Sequence, residues 1–249
     1  MTLASETDMS MDGQQVIIVG GSSGMGLATA RAAARQGANV TIASSSRQRI
    51  DAALRELPHG CAGAVVDVRD EAQIAAVLEQ FDEIDHLVFT AGDDFTPKPL
   101  AELDLRDARS ILDVRFWGAV TVIKHAIGRL RSTGSISLTT GTVGQRPMPG
   151  AALAAAGAGA TEALVRGLAV ELAPIRVNAV RAGAVRTPMW DRVAAPQRDA
   201  IFARLSQRTL VGAVGEPEQI AMAHLYLMHN GYVTGTTLAV DGGSLLTAN

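Results

Sequence analysis

Short apolar runs rich in β-branched residues recur along this chain, and longer segments with apolar residues at helical spacing lie between them. Each run is too short for a helix and almost continuously apolar, which is typical of a strand buried on both faces of a parallel sheet. The predicted strands are residues 15–19, 39–43, 63–67, 86–89, 135–139, 176–180 and 237–240.

The segments between these strands predict helices at residues 24–36, 47–57, 71–81, 104–131, 151–172 and 218–229. Strands that alternate with helices are joined by right-handed crossovers, which cover both faces of a parallel sheet. The expected fold is therefore α/β, a doubly wound, Rossmann-type parallel sheet with helices on both faces. Residues 14–249 contain no linker or repeat and are expected to form a single domain, while residues 1–13 are expected to be a flexible N-terminal segment.

Charge and cysteine content exclude several classes of protein. A net charge of -3 gives no electrostatic reason to expect nucleic acid or an anionic membrane as a partner. The single cysteine, Cys61, cannot form an internal disulfide, which fits a reducing compartment. The N-terminus has no apolar signal region, and no segment runs for roughly 18 uninterrupted apolar residues. These features predict a cytoplasmic protein.

A glycine-rich turn follows the first predicted strand and leads directly into a helix. In a doubly wound sheet, ligands bind outside the carboxyl ends of the strands, where strand order reverses. Glycines there permit a tight turn and close approach of backbone N–H groups, and the helix dipole favours a pyrophosphate. The alternative is an ordinary turn that needs one glycine for a positive φ. The binding interpretation is favoured, with these residues: Gly20, Ser22, Ser23, Gly24, Met25 and Gly26.

With further motifs in order along the chain, the sequence resembles the short-chain dehydrogenase/reductase superfamily from about Gln15 to the last strand. Besides the glycine turn, the motifs are Asp67-Val68, Ala91-Gly92, Arg176-Val177-Asn178-Ala179-Val180, Thr187-Pro188-Met189 and Val240-Asp241-Gly242-Gly243. The resemblance implies that Asp67 and Val68 hold the adenine of a nicotinamide cofactor. It also implies that the turn of Thr90, Ala91 and Gly92 backs the cofactor, and that Val185 and Thr187 meet the nicotinamide end. For Asp67, a solvated strand end is the alternative.

The end of the second strand bears on the choice between NADP(H) and NAD(H). An NAD-selective site places a carboxylate there for the ribose 2′-OH, whereas a 2′-phosphate needs donors and positive charge. This strand ends in Ser44, Ser45 and Arg47, with no acid before Asp51. NADP(H) is therefore the favoured cofactor and NAD(H) the less favoured one. The alternative is that Arg47 and Arg49 are ordinary solvated residues that open a helix.

The catalytic residues of the superfamily are missing from this chain. The resemblance implies an Asn, a Ser, a Tyr and a Lys that together move a proton and polarise a carbonyl. Aligned on the flanking sequence, the Tyr and Lys positions fall on Ala154 and Ala158, the Ser position on Gly141 and the Asn position on Arg115. The two tyrosines, Tyr226 and Tyr232, lie far away in the C-terminal region. The usual acid/base chemistry is therefore not available from these positions.

Other polar residues are expected to face the pocket, namely Asp93, Asp94, Arg115, Thr140, Thr142, Gln145, Arg146 and Trp190. Thr142 can donate a hydrogen bond to a carbonyl, but an unassisted hydroxyl is a poor general acid near neutral pH. For Asp93 and Asp94, an exposed loop is the preferred interpretation. No histidine has a partner at metal-ligand spacing, so no metal site is expected.

Arg115 is the main catalytic candidate, together with Thr142. A guanidinium is costly to bury alone, so a position facing the pocket requires a partner. Arg115 is expected to extend into the space that Ala154 and Ala158 vacate and to donate toward Thr142, Asp113 or a substrate oxygen. The alternative is that Arg115 turns outward to a surface carboxylate and that helix approach fills the space.

Three functions stay open at this point. The first is an NADP(H)-dependent oxidoreductase acting on a small organic carbonyl, imine or enone, which the apolar segment from Thr187 to Leu210 favours modestly. The second is a catalytically silent NADP(H)-binding sensor or assembly protein, and the third is a non-redox enzyme that uses the old substrate cleft. Segments 104–131 and 151–172 carry more apolar and small residues than one sheet face can cover, so a homodimer or homotetramer is expected.

Overall fold

The computed structural model describes residues 10–92 and 97–247, and these residues form one sheet of seven parallel strands in the order β3-β2-β1-β4-β5-β6-β7. The strands are β1 Gln15–Val19, β2 Asn39–Ser44, β3 Ala62–Val65, β4 Ile84–Phe89, β5 Leu130–Gly141, β6 Arg176–Ala182 and β7 Thr237–Val240. The α-helices are α1 Gly24–Arg35, α2 Arg47–Glu56, α3 Glu71–Leu78, α4 Leu105–Ser110, α5 Ala119–Ala126, α6 Ala152–Glu171, α7 Ala195–Ser206 and α8 Pro217–His229. Short helical turns cover Leu100–Glu102, Ile127–Arg129, Thr142–Gly144 and Pro188–Trp190, and a π-helix covers Asp113–Gly118.

Alternate residues of the central strand β1 build the two cores on either face of the sheet. Val16 and Ile18 belong to a cluster with buried residues of α1, α2 and α8. Ile17 and Val19 belong to a cluster with residues of α3, α5 and α6. All four are at most 3% exposed, as the period of two in a strand requires. The doubly wound α/β prediction is confirmed.

The strand order reverses beside β1, which pairs with β2 on one side and with β4 on the other. Because every strand runs in the same direction, the carboxyl ends of all the strands lie on one edge of the sheet, which we call the carboxyl edge. The reversal leaves a crevice there between the turns that follow β1 and β4. The candidate site must be sought at this crevice.

The prediction of one helix over residues 104–131 is wrong. The segment divides into α4, the π-helix, α5 and a short helical turn, and its last two residues already belong to β5. Arg131, expected to end the helix, pairs instead with Glu83 and Asp85 beside the start of β4. Apolar periodicity did not reveal the breaks, because α-helical and π-helical turns place apolar residues at similar spacing.

Five predicted strands have different bounds in the structure, and three of them, β2, β4 and β6, differ by only one or two residues at one end. The strand predicted at residues 63–67 is Ala62–Val65, so Asp67 lies in the loop beyond it. The strand predicted at residues 135–139 extends over Leu130–Gly141, since Leu130 pairs with Ile84 of β4. The additional helix α7 occupies part of the apolar segment before Leu210.

The domain begins earlier than residue 14. Met11 is fully buried in the core formed with α1 and α2, and its amide donates to the Gln36 carbonyl. Met11 is thus packed into the domain, whereas Asp12 and Gly13 are exposed, and residues 1–9 lie outside the described residues. One apolar residue within a polar stretch was too weak a signal to reveal this.

Helix α6 has the length and apolar composition of a membrane-spanning helix, although only 28% of its most apolar window is buried inside the protein. Its buried residues include Gly157, Thr161, Glu162 and Val165. Glu162 forms a bidentate ion pair with Arg181 of β6. The polar face of α6 is therefore turned toward the sheet, and the prediction of no membrane partner stays a prediction.

Candidate functional site

The turn after β1 is packed so closely against the end of β4 that only glycine fits. Gly20 has φ +89°, and a Cβ added there would lie 2.4 Å from the Ala91 amide nitrogen. A Cβ on Gly26 would lie 2.3 Å from the Gly20 carbonyl oxygen. Thr90 closes the contact, since its amide and its hydroxyl both donate to the Val19 carbonyl. The predicted glycine turn and the predicted backing turn thus form one wall of the crevice.

The N-terminus of α1 opens into the crevice without a side-chain cap. Ser23 is the N-cap residue, yet its side chain makes no capping hydrogen bond. The first amides of α1 are left for an external acceptor, and the positive end of the helix dipole favours an anion there. A Cβ on Gly24 would lie 3.2 Å from Cγ2 of Thr187, so Thr187, which is expected at the nicotinamide end, lies beside the same turn. Met25 packs in a cluster that includes the buried Val185.

The end of β2 presents hydroxyls rather than a carboxylate. The Ser22 hydroxyl donates to the Ser44 hydroxyl at 2.9 Å, which ties the glycine turn to this strand. Ser45 is exposed next to it. Arg47, which is 73% exposed at the start of α2, pairs with Asp51 one helical turn later. The structure therefore brings Ser22 and Ser44 together and leaves Arg47 at the rim, bound to its own helix.

Asp67 and Val68 lie in the loop that follows β3. The side chain of Arg69 donates to both carboxylate oxygens of Asp67, and this hydrogen bonding holds the pKa of the carboxyl below its ordinary value. Val68 is 8% exposed and lies directly against Gly118. In this structure the Asp67 carboxylate is thus paired with Arg69, and the Val68 side chain belongs to the core.

Arg115 reaches the end of β4 from the π-helix. A Cβ added to Gly92 would lie 2.5 Å from Cζ of Arg115, so the guanidinium lies directly on the Gly92 backbone. π-Helical turns occur often at functional sites because the extra residue re-aims a side chain. No hydrogen bond joins Arg115 to Thr142 or Asp113 in the described part of the chain, and the expected role of Arg115 toward a substrate oxygen stays a prediction. The residue is nevertheless held at the carboxyl edge.

The turn after β5 places Thr140 and Thr142 in different roles. Thr140 is buried, and its hydroxyl donates to the Ala158 carbonyl of α6. The prediction that Thr140 faces an open pocket is therefore wrong. Thr142 is half-buried, and its hydroxyl makes no hydrogen bond within the described part of the chain. A Cβ on Gly144 would lie 3.0 Å from the Ala158 Cβ. The turn thus fills much of the space beside Ala158, which occupies the family's Lys position.

An aromatic cluster forms the side of the site that follows β6. The Trp190 indole donates to the Val185 carbonyl at 3.0 Å and stacks edge-on against Phe202 of α7. The Arg186 guanidinium lies 4.3 Å above the Phe202 ring and pairs with Glu216. These contacts orient Trp190 beside Val185. Gln145 is exposed, and Asp93 and Asp94 lie outside the described residues.

Two contacts were not predicted from the sequence, one made by the side chain of Arg146 and one by the backbone of Lys98. Arg146 binds the C-terminal turn, residues 244–247, rather than facing an open pocket. Lys98 lies in the loop after β4, where its amide donates to the Gly150 carbonyl. Its side chain is exposed. Neither contact has a local sequence signal, because each joins loops that are distant in the chain.

Among the described residues, the remaining acid/base side chains do not form a catalytic group at this edge. Tyr226 lies in the last turn of α8, and Tyr232 follows the helix and is fully exposed. The C-terminus of α8 lies at the opposite edge of the sheet. Burial lowers the pKa of His224 to about 3. Burial, with Arg176 and His229 nearby, lowers the pKa of His86 to about 3. Both histidines are therefore neutral near pH 7, and the described residues contain no cluster able to hold a metal ion.

Comparison with known sequences links the chain to one group of proteins. A family model described as enoyl-(acyl carrier protein) reductase matches residues 19–244. A short-chain dehydrogenase/reductase from an Acremonium species is 36% identical over 263 residues, covering 98% of this chain and 100% of the relative.

Solved structures give the same result. The MalC reductase/Diels-Alderase from Malbranchea aurantiaca matches with a TM-score of 0.91 and 30% identity, covering 97% of this chain and 100% of that chain. A small-chain dehydrogenase crystallised in complex with NADPH matches with a TM-score of 0.83 and 34% identity, covering 95% of this chain and 100% of that chain.

Proposed function

The chain belongs to the short-chain dehydrogenase/reductase family, and from this premise we propose that it is an NADP(H)-dependent oxidoreductase with an atypical active site. The observation that carries the proposal is the crevice at the carboxyl edge. Gly20, Gly26 and Ala91 leave a wall made of backbone, and the uncapped start of α1 faces the same space. Such a cradle suits a pyrophosphate, whose charge the free amides and the helix dipole would hold.

The end of β2 supports NADP(H) over NAD(H). Ser44 and Ser45 offer hydroxyl donors, and Arg47 is exposed enough to turn from Asp51 toward a 2′-phosphate. A guanidinium binds phosphate with two charge-assisted hydrogen bonds. A related dehydrogenase structure contains NADPH, which agrees with this assignment.

The substrate class follows from the absence of a proton donor at the family's positions. When bound, NADPH supplies a hydride. Hydride transfer to a ketone gives an alkoxide, and Ala154 and Ala158 cannot give the proton that converts this alkoxide to the alcohol. An iminium already carries its proton, and an enone takes its proton at carbon from water, so both need less help from the protein. We therefore favour a cyclic imine or an enone over an ordinary ketone.

A second candidate is a non-redox reaction in the same cleft. The observation in its favour is the fold neighbour named as both a reductase and a Diels-Alderase. In that case the protein would orient a bound intermediate, with Arg115 and Thr142 as donors toward its polar atoms. A silent NADP(H)-binding sensor would retain cofactor binding and show no chemistry of either kind.

Two measurements test the proposed function. Calorimetric titration should show tighter binding of NADPH than of NADH, and Arg47→Ala should weaken NADPH roughly tenfold or more while leaving NADH unchanged. Arg55→Ala, at the other end of α2, is the matched control and should change neither affinity. Equal affinities for the two cofactors would refute the phosphate assignment.

Turnover is followed by NADPH absorbance with a panel of ketones, cyclic imines and enones. Oxidation of NADPH by an imine or an enone supports the oxidoreductase. Binding of NADPH without oxidation by any member of the panel would contradict it and leave the non-redox enzyme or the sensor.

A further inference from the structure

The guanidinium of Arg146 is surrounded by acceptors from the end of the chain. One terminal nitrogen donates to the Ser244 carbonyl at 2.6 Å and to the Thr247 hydroxyl at 3.1 Å. The other donates to the Leu245 carbonyl at 3.2 Å and to the Thr247 carbonyl. These four bonds join the loop after β5 to the C-terminal turn, which is separated from it by about a hundred residues of chain.

The same turn is also attached to the segment that follows α7. The Thr247 hydroxyl donates to the Arg208 carbonyl at 3.0 Å, just beyond α7. The amides of Leu210 and Val211 both donate to the Gly242 carbonyl. The end of the chain therefore connects the loop after β5 with the segment after α7.

This connection lies at the carboxyl edge, beside the proposed substrate position. Arg146 follows Thr142 by one turn, and the C-terminal turn begins directly after β7. Apolar side chains stay exposed around it, since Leu210 is 65%, Val211 69% and Leu246 80% exposed. An apolar surface at this position can contact the part of a substrate that projects away from the reacting carbon.

Arginine is needed here because four acceptors surround one side chain. The planar guanidinium can donate in several fixed directions, whereas a lysine ammonium is a compact charge with a different geometry. No carboxylate pairs with Arg146 in the described part of the chain, and its guanidinium donates to carbonyl and hydroxyl oxygens instead. The clamp holds the turn without filling the cleft itself.

We propose, resting on the proposed function, that Arg146 is a positioning residue that clamps the C-terminal turn as an apolar wall of the substrate cleft and thereby sets the size of the substrate that is admitted. Within the described part of the chain, the side-chain hydrogen bonds of Arg146 all go to the C-terminal turn and none goes to the glycine turn or to Gly92. Its loss should therefore change substrate selection and leave cofactor binding intact.

The first test measures the clamp without any substrate. Amide hydrogen exchange of residues 244–247 should be at least about tenfold faster in Arg146→Ala than in the wild type, and Arg146→Lys should restore only part of the protection. Arg55→Ala is the control and should exchange like the wild type. Unchanged exchange in Arg146→Ala would overturn the clamp, whether or not the protein proves to be a reductase.

The second test measures the wall. The probes are 2-methyl-1-pyrroline and the bulkier 2-phenyl-1-pyrroline, with NADPH as reductant. In Arg146→Ala, and in a chain ending at Gly243, kcat/KM for the bulky imine relative to the small one should rise about tenfold. The change should appear mainly in KM, and NADPH affinity should stay within about twofold. An unchanged ratio in both variants would overturn the wall.

The two tests separate the clamp from the chemistry. If the wild type binds NADPH but reduces neither imine, the proposed reduction of imines fails, and the exchange measurement alone decides the clamp. Faster exchange then supports it, and unchanged exchange refutes it.

Discussion

Arg115 places a permanent charge at the end of β4, where the backbone of Gly92 leaves room for it. A side chain at position 92 would displace the guanidinium from its present place. A fixed cation at this edge can stabilise negative charge that develops on a substrate, even though it has no proton to give. Arg115 is therefore our candidate for an electrostatic rather than an acid/base role.

Arg115→Ala should lower kcat/KM for an imine or enone substrate about a hundredfold, because a preorganised donor would be lost from the reacting centre. NADPH affinity should change by less than about threefold, since the glycine turn and the end of β2 stay intact. Steady-state kinetics and calorimetry measure the two effects. Arg106→Ala, an exposed arginine on α4, serves as the control. Full activity of Arg115→Ala would show that the residue has no part in the reaction.

At the level of elements, helix α6 is fixed to the sheet by a buried ion pair. Arg181 on β6 donates two hydrogen bonds to Glu162, and the side chains are 15% and 7% exposed. Hydrogen bonding to Glu162 raises the pKa of Arg181 above its ordinary value. Glu162 lies one turn beyond Ala158, so the pair also fixes the register of the helix beside the proposed cleft.

Glu162→Gln should destabilise the protein by about 3 kcal/mol, since it leaves a largely buried guanidinium without its counter-charge. Urea unfolding followed by circular dichroism measures the free energy of unfolding. The control is Glu56→Gln, which breaks the surface pair between Arg31 and Glu56 and should cost less than about 1 kcal/mol. Equal effects of the two substitutions would show that burial gives the Glu162 pair no special importance.

The elements also show how far the sequence determines the fold. Strands such as β1 and β7 were predicted to the residue, because apolar runs buried on both faces have a simple pattern. The π-helix at Asp113–Gly118 was not predicted, and its last residue, Gly118, packs against Val68 from a distant part of the chain. β5 was predicted too short because its first residues are polar and mostly exposed.

The candidate site divides in the same way. Gly20, Gly24 and Gly26 were identified from local spacing, because a tight turn imposes a local requirement for glycine. The clamp at Arg146 was not identified, since three of its four acceptors are backbone carbonyls, which every residue carries. The pairing of Asp67 with Arg69 was also missed, although the two residues are adjacent in the loop after β3. A site built from backbone atoms leaves little trace in the sequence unless glycine is required.

At the scale of the whole molecule, one face of α6 is left without a partner in the protomer. Arg166 and Glu171 are exposed on this helix, but its other exposed positions recur every three or four residues and carry small or apolar side chains: Ala152, Ala156, Gly159, Ala163, Gly167 and Val170. Val170 is 82% exposed, and Trp117 of the neighbouring π-helix is 56% exposed. We propose that a second copy of the chain covers this face, because small residues let two helices approach closely and a twofold axis makes one face self-complementary.

Ala163→Glu and Gly167→Leu should each convert the wild-type dimer or tetramer into a smaller species, measured by light scattering at micromolar concentration. A Cβ at Gly167 meets no atom within 4 Å, so the protomer accepts the larger side chain. Leucine also has a higher helix propensity than glycine, so dissociation of Gly167→Leu could not be attributed to unfolding of α6. Ala203→Glu, an exposed alanine on α7, is the matched control and should assemble like the wild type. A monomeric wild type, or two variants that assemble normally, would refute the interface on α6.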